Sequence, residues 1–203
     1  MKTISLLLAL LCLSGAAAAE APHKAAPSKL PAGPVLSVPP GIAVPDRERD
    51  YVLLVENARK AYVSAKSVDG RRAARQAFQI DSHNFMGLMH HAKGWVGVFK
   101  QSKALSDGRR SLEIEISPGV TLQTSDNIFD DRAYSNMIKP YDPIAKSIPD
   151  LSIGQPVAFD ADILGAILSN DDDMVLQPRL MVRFSDFKVL DEPARSPAAA
   201  PKP

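Results

Sequence analysis

Three histidines that lie close together, His83, His90 and His91, are the side chains best suited to hold a metal ion. Zinc takes three or four nitrogen, sulfur or oxygen ligands in tetrahedral geometry. A helix would bring His83 and His90 to one face, but Gly87 between them disfavours that helix, and no H-E-x-x-H motif or cysteine accompanies them. The pattern favours surface or loop histidines, with a metal site at these three residues as the alternative.

Two acidic stretches, TSDNIFDD at 124–131 and SNDDD at 169–173, contain oxygen ligands for a hard cation. Calcium binds several carboxylate and carbonyl oxygens, but neither stretch follows the D-x-[DN]-x-[DN]-G pattern of a calcium loop. SNDDD is most simply the polar turn between two strands. Weak calcium binding is the alternative, and the sequence predicts no cofactor.

The sequence shows no assembled set of catalytic residues. It lacks the G-x-S-x-G motif of a serine nucleophile. The carboxylate pairs Glu113/Glu115 and Asp160/Asp162 are each two residues apart, so each pair shares one face of a strand. That spacing is typical of the solvent side of an amphipathic strand. We therefore predict that the protein is not an enzyme.

Amphipathic strands over residues 93–190 must position these side chains. Leu112, Ile114 and Ile116 alternate with polar residues, which is typical of a strand with one buried face. Asp142-Pro143 is typical of the start of a short helix, which we expect to end near Pro149. Further strands are predicted around residues 95–99, 120–124, 157–163 and 180–184.

The predicted order of elements is three strands, a helix and two strands. It indicates an α+β protein: an N-terminal helical segment followed by a five-stranded OB-like Greek-key β-barrel, with a short helix between strands 3 and 4. Gly97 in the first strand supports this fold, because a strand that coils around a small barrel often needs a glycine or a bulge. An SH3-like barrel is the structural competitor.

Residues 46–92 form the predicted helical segment. Asp46 is a candidate N-terminal cap, and Tyr51, Val55 and Tyr62 recur on one face. Asp69-Gly70 is expected to break or bend the helix, because glycine is unfavourable in a helix interior. We expect the apolar face to pack on the barrel.

The two ends of the chain differ in composition from its middle. Residues 1–19 have a positive start, a short apolar run and an A-x-A site before Glu20, as in a cleaved secretory signal peptide. Residues 20–45 are interpreted as a Pro/Ala-rich linker and residues 191–203 as a disordered tail. Cys12, the only cysteine, lies in the signal peptide, so the exported chain would contain no disulfide.

The outer face of the second and third strands is the predicted ligand face. If Ile114 points inward, Glu113 and Glu115 point outward beside Thr121 and Gln123. Strands 2 and 3 carry no lysine, arginine or aromatic residue between 111 and 125. OB folds that bind single-stranded nucleic acid use a basic groove with stacking aromatics, so these strands do not favour that ligand. Trp95 and Phe99 are expected to pack inside.

Four segments also resemble a known group of proteins: GWVGVF, SLEIEISPGVTLQTSDN, LSIGQPVAFDADI and VRFSDF. They resemble secreted bacterial proteins of uncharacterised function that have a helical lead-in and an OB-like domain. The resemblance covers roughly residues 47–190. It implies export and a small barrel, and it implies no catalytic residue.

These observations predict an exported, non-enzymatic OB-like binding module of the cell envelope, periplasmic or secreted. The expected partner is an unknown protein or small ligand, with no nucleic acid and no stable membrane span after signal cleavage. Cleavage would leave the 23 acidic residues balanced by an equal number of basic residues, so net charge does not direct the chain to a polyanion. The alternatives are a metal-binding periplasmic protein or metal-dependent enzyme, and a nucleic-acid-binding OB domain.

Overall fold

The first described elements are two helices that the sequence predicted as one interrupted segment. The computed structural model describes residues 35–167 and 172–191, so the predicted signal peptide, most of the linker, residues 192–203 and part of SNDDD lie outside the described residues. Helix α1 spans Asp46–Ser64 and helix α2 spans Val68–Leu88.

The break between the helices lies before Asp69-Gly70. Ala65 is extended, and the Ser67 side chain caps α2 by accepting a hydrogen bond from Gly70 N–H at 3.0 Å. Gly70 therefore lies in the first turn of α2. Asp46 begins α1, but its side chain does not cap the helix, because the residue already has helical geometry and Pro45 occupies the cap position.

The apolar face predicted for α1 is confirmed. Tyr51, Val55 and Tyr62 are buried together with Val52. They join the main hydrophobic core, which also contains the inward side chains of the barrel. Burial of side chains of this size stabilises the packing by about 1.5–3 kcal/mol each, before the entropy cost of ordering them.

Five strands close into a β-barrel with the order β1-β2-β3-β5-β4. All neighbouring pairs are antiparallel except β3 and β5, which are parallel. Leu112, Ile114 and Ile116 point into the core with at most 1% exposure, as their alternation predicted. The strands are His91–Ala104 (β1), Arg110–Ser117 (β2), Val120–Gln123 (β3), Pro156–Ile167 (β4) and Arg179–Val189 (β5).

The connection between β3 and β4 differs from the prediction. A short helix, α3, spans Ile128–Tyr134, within and after the stretch interpreted as an acidic loop. In place of the expected helix over 142–149, the chain makes two 3₁₀ turns, Pro143–Lys146 and Ile148–Asp150. Pro149 has no N–H to donate to Ala145, so the last hydrogen bond of the expected helix cannot form.

The connection between β4 and β5 also contains a helix that the sequence did not indicate. Helix α4 spans Asp173–Leu176 and buries Met174 and Val175 in the core. The last residue of SNDDD is therefore the first residue of a helix. The polar turn predicted over SNDDD therefore does not extend to Asp173, and residues 169–171 lie outside the described chain.

Strand β1 pairs with β2 over residues 98–104 and with β4 over residues 91–98, and it is bulged on both sides of its centre. Gly97 lies between the bulges. A Cβ atom at Gly97 would lie 2.6 Å from Ile114 Cγ2 and 2.8 Å from the Glu115 carbonyl oxygen. The barrel wall therefore leaves no room for a side chain at this position.

The outer side of β1 is also buried. Val96 and Val98 pack against Val38 and Val44 in a second hydrophobic cluster, and Ser37 N–H donates to the Ile116 carbonyl at 3.0 Å. The last residues of the segment interpreted as a linker thus cover the barrel.

Replacement of Ile114 by alanine should lower the free energy of unfolding by about 2–5 kcal/mol, because it removes a fully buried side chain and leaves a cavity. Glu113→Ala, one residue away on the outer face, should cost less than about 0.5 kcal/mol. Urea unfolding of the two variants checks both values. Equal losses would mean that the strand register is wrong.

Replacement of Gly97 by alanine should destabilise the protein by about 1–3 kcal/mol, because the new methyl group overlaps the β2 backbone. Gly87→Ala is the matched control: it lies in α2, and a Cβ atom there would meet nothing within 4 Å. That control should be neutral or stabilising by up to about 1 kcal/mol. Thermal unfolding of the two variants measures the difference, and an unaffected Gly97→Ala protein would contradict the close approach.

Candidate functional site

The four residues of the predicted ligand face do lie together on the barrel. Glu113 pairs with Gln123, and Glu115 pairs with Thr121, across β2 and β3. Because alternate residues of a strand point to opposite sides, all four lie opposite the core residues Leu112 and Ile114. Their environments differ, however, and divide the face into a covered half and an open half.

The half around Glu115 is covered. Glu115 Oε1 accepts Gly119 N–H at 3.0 Å, and Oε2 lies 3.4 Å from both Lys100 Nζ and Ser37 Oγ. Arg59 of α1 reaches over the adjacent turn and donates to the Pro118 carbonyl at 2.9 Å. The expectation that Glu115 faces water is therefore wrong: its side chain keeps 17% exposure.

Thr121 belongs to the same covered half, with 7% exposure. The prediction that the face lacks basic residues considered only β2 and β3. Lys100 approaches from β1 and Arg59 from α1, and both interact with the charge of Glu115. Desolvation lowers the pKa of Arg59, although the charges of Glu56 and Glu115 oppose the shift. These cations neutralise a structural carboxylate and do not form an open basic groove.

The half around Glu113 and Gln123 is more open: both residues are partly buried, but the hydrogen bond that Glu113 accepts is exposed. Gln101 of β1 donates from Nε2 to Glu113 Oε2 at 2.7 Å. A shallow cavity of about 90 Å³, here called the polar recess, lies beside these side chains. Its lining residues come from β1, β2, β3, the loop after β3 and β5: Gln101, Ser111, Leu112, Glu113, Gln123, Thr124, Asp126 and Arg179.

The sequence argument did not assign Gln101, Asp126 or Arg179 to this face, although Asp126 belongs to the acidic stretch 124–131. They lie far from Glu113 along the chain, and only the pairing of β2 with β1 and of β3 with β5 brings them to the recess. No local spacing indicates that neighbourhood. The predicted register of β2 and β3 was the only signal available.

Hydrogen bonds behind the recess hold its floor in place. Thr124 Oγ1 accepts Leu112 N–H at 2.9 Å. Ser125 is buried and donates from Oγ to Asn136 Oδ1 at 2.6 Å. Asn136 Nδ2 in turn donates to the Val182 carbonyl at 2.9 Å. Because these buried polar groups have partners, the network makes the loop after β3 rigid.

The acidic stretch 124–131 is tied to the β1–β2 turn. Asp131 is 5% exposed, forms an ion pair with Arg109 and accepts Met137 N–H at 2.7 Å. Arg109 also binds Asp107 at 2.6 Å and lowers the pKa of that carboxyl. Arg109 therefore joins two loops.

The three histidines lie at separate positions and do not form a metal-binding cluster. His83 is exposed on α2, His90 precedes β1, and His91 on β1 places Nδ1 2.9 Å from Asp162 Oδ1 on β4. Within residues 35–167 and 172–191, no group of three or more His, Cys, Asp or Glu side chains is arranged to hold a metal ion. The carboxylate of Asp160 also has a partner within the protein, because its Oδ1 accepts a hydrogen bond from Gly94 N–H at 2.6 Å.

The aromatic residues of β1 are part of the core, as expected. Trp95 is 1% exposed and Phe99 6% exposed. The Trp95 ring lies 6.2 Å from the Tyr51 ring of α1, centroid to centroid. These rings join the helix to the barrel and do not form a surface for stacking bases.

One carboxyl group lies entirely inside the protein. Glu48, in the first turn of α1, has 0% exposure, and its Oε2 accepts Val96 N–H at 2.8 Å. Its Oε1 has no hydrogen-bond partner among the described residues. Burial raises the pKa of Glu48 to about 8, although the hydrogen bond from Val96 and the charge of Arg49 oppose the rise. Glu48 thus joins α1 to the centre of β1.

Comparison of the chain with models of protein families, with curated proteins and with solved structures finds no match. The resemblance to secreted OB-like proteins therefore stays a prediction. Among the helices of the described residues, none combines the length and the apolar character needed to cross a membrane.

The buried Glu48 predicts a pH dependence of stability. Its folded pKa of about 8 lies above its ordinary value of 4.5, so between these values the folded protein keeps a proton that the unfolded chain releases. The free energy contributed by this group is fully present below about pH 4.5 and is lost as the pH rises to about 8. The free energy of unfolding should fall over that interval.

Glu48→Gln should remove this contribution to the pH dependence, because an amide keeps the acceptor for Val96 N–H and does not titrate. Above about pH 8 the variant should be more stable than the wild type. Urea unfolding at pH 5 and pH 8.5 measures the effect, with Glu113→Gln as a control that should follow the wild type. Identical pH slopes for Glu48→Gln and the wild type would contradict the prediction.

Proposed function

We propose that the protein is an exported, non-enzymatic OB-like binding module of the cell envelope, periplasmic or secreted. The strand order, with β3 parallel to β5, supports an OB-like Greek-key barrel. The leader-like composition of residues 1–19 supports export. The absence of a recognisable catalytic motif from the sequence favours binding over catalysis.

The polar recess is the observation that carries this proposal. OB folds commonly bind their ligands on the face of strands 2 and 3, and the recess lies there, beside Glu113 and Gln123. The other half of the same face is covered by α1 and by residues 35–38. A partner of the module would therefore contact the Glu113 half.

The chemistry of the recess favours a polar partner that is neutral or basic. Glu113 and Asp126 supply acceptors, and Gln101 and Gln123 supply both donors and acceptors. The residues that line the recess include no aromatic ring, and Arg179 is their only cation. Phosphate recognition relies on several cations and base recognition on stacking, so a protein segment or a small polar ligand suits this site better than nucleic acid.

Capture of envelope components by the full exported chain tests the proposal. The wild type should enrich a partner, and Glu113→Ala/Gln123→Ala should reduce the retained amount about tenfold, equivalent to 1.4 kcal/mol of binding free energy. The matched control, Asp186→Ala/Lys188→Ala, removes two exposed side chains at the other end of β5 and should retain the partner.

Two outcomes would overturn the proposal. Capture that is insensitive to the recess substitutions would separate binding from this face. Tight binding of a single-stranded oligonucleotide at physiological salt, weakening steeply as salt is raised, would support a nucleic-acid-binding OB domain, because that slope reports cations that displace counterions from phosphate.

A further inference from the structure

A second cavity, of about 310 Å³, lies between α2 and the barrel. Its walls are largely apolar and come from α2, the end of β4, α4 and the start of β5. Of the residues that line it, only Arg179 also lines the polar recess. Its apolar walls include Phe78, Met86, Ile167, Met174 and Leu180.

We propose that this cavity binds a small amphipathic molecule with an apolar body and one carboxyl or carbonyl oxygen, and that Tyr51 donates a hydrogen bond to that oxygen. The volume lies at the lower end of the range of about 300–1,000 Å³ that is usual for small-molecule sites. Such sites combine apolar walls with a few polar groups that orient the ligand.

The hydroxyl of Tyr51 is the polar group that points to a ligand. Tyr51 lines the cavity and is 1% exposed, and its Oη makes no hydrogen bond of standard geometry with the described residues. A buried hydroxyl without a partner costs about 1–3 kcal/mol. A ligand oxygen placed beside it would recover that free energy, and an apolar ligand would not.

The Tyr51 hydroxyl remains protonated and can therefore donate a hydrogen bond. Burial raises its pKa to about 12, although the neighbouring Ser82 hydroxyl and the charge of Arg59 oppose the rise. The hydroxyl therefore stays protonated at physiological pH and offers its hydrogen to an acceptor. Ser82, itself 6% exposed, lines the same cavity and supplies a second hydroxyl for the same oxygen.

The walls of the cavity suit a flexible apolar body. Met86 of α2 and Met174 of α4 lie on its lining, and methionine side chains adapt to ligands of different shape. The ring of Tyr51 packs against the rings of Phe85 and Trp95, with centroid distances of 5.4 Å and 6.2 Å. A rigid donor with adaptable apolar walls selects for the oxygen and tolerates variation in the chain attached to it.

Octanoate and octylamine are probes that separate these features, because they share an alkyl chain and only octanoate carries an acceptor oxygen. Trp95, the only tryptophan of the chain, lies next to Tyr51 and reports binding by fluorescence. With the full exported chain, we expect saturable binding of octanoate and affinity for octylamine that is at least about tenfold lower.

Tyr51→Phe removes the hydroxyl and keeps the ring. It should lower the affinity for octanoate about tenfold, the value of one hydrogen bond, and should leave the unliganded protein as stable as the wild type or more stable. Ser82→Ala provides a second variant with a smaller loss. Tyr141→Phe makes the same chemical change at a side chain that is 77% exposed and should bind as the wild type does.

The outcomes decide the proposal independently of the polar recess. Glu113→Ala/Gln123→Ala should bind octanoate normally, because those side chains do not line this cavity. No saturable binding of octanoate by the wild type would overturn the proposal. Equal affinity of Tyr51→Phe and wild type for octanoate, or equal affinity of the wild type for octylamine, would overturn the role of the hydroxyl.

Discussion

The barrel closes only because β1 bends enough to pair with two different strands. Its first half binds β4 and its second half binds β2, and Val98 pairs with both. Gly97 lies next to this shared residue, where a Cβ atom would meet Ile114 and the β2 backbone. Bulges on either side add local twist. Glu48 accepts the N–H of Val96 at the same place, so α1 is attached beside the residue that pairs with both neighbouring strands.

The attachment of α1 explains why the outer face of β2 and β3 is not uniform. A helix fixed at β1 places Arg59 over the β2–β3 turn, where Glu115 organises the turn through Gly119. Within the described residues, the same face beyond Glu115 receives no such hydrogen bond from a helix, and Gln101, past the second bulge of β1, donates to Glu113. Position along a single strand thus decides whether a glutamate is a structural group or is available to a ligand.

The predictable part of this fold is the part encoded by local periodicity. Alternation around Ile114 and the spacing of Tyr51, Val55 and Tyr62 identify the inward faces, because burial of one side imposes those periods. The two short helices α3 and α4 were not predicted, because a helix of one or two turns is stabilised by tertiary contacts and has little periodic pattern of its own. The polar recess was not predicted for a different reason: its members become neighbours only through pairing between distant strands.

Two polar groups of α1, the Glu48 carboxyl and the Tyr51 hydroxyl, are both buried, but their hydrogen bonding differs. The Glu48 carboxyl makes one hydrogen bond, to β1, and that bond accounts for its position although the second oxygen has no partner. The Tyr51 side chain, one helical turn along, lines a cavity, and its hydroxyl has no hydrogen bond of standard geometry among the described residues. Phenylalanine would fill the same core with no unsatisfied donor. The neighbouring Ser82 hydroxyl and a ligand oxygen in the cavity are the two acceptors that would account for a tyrosine at position 51.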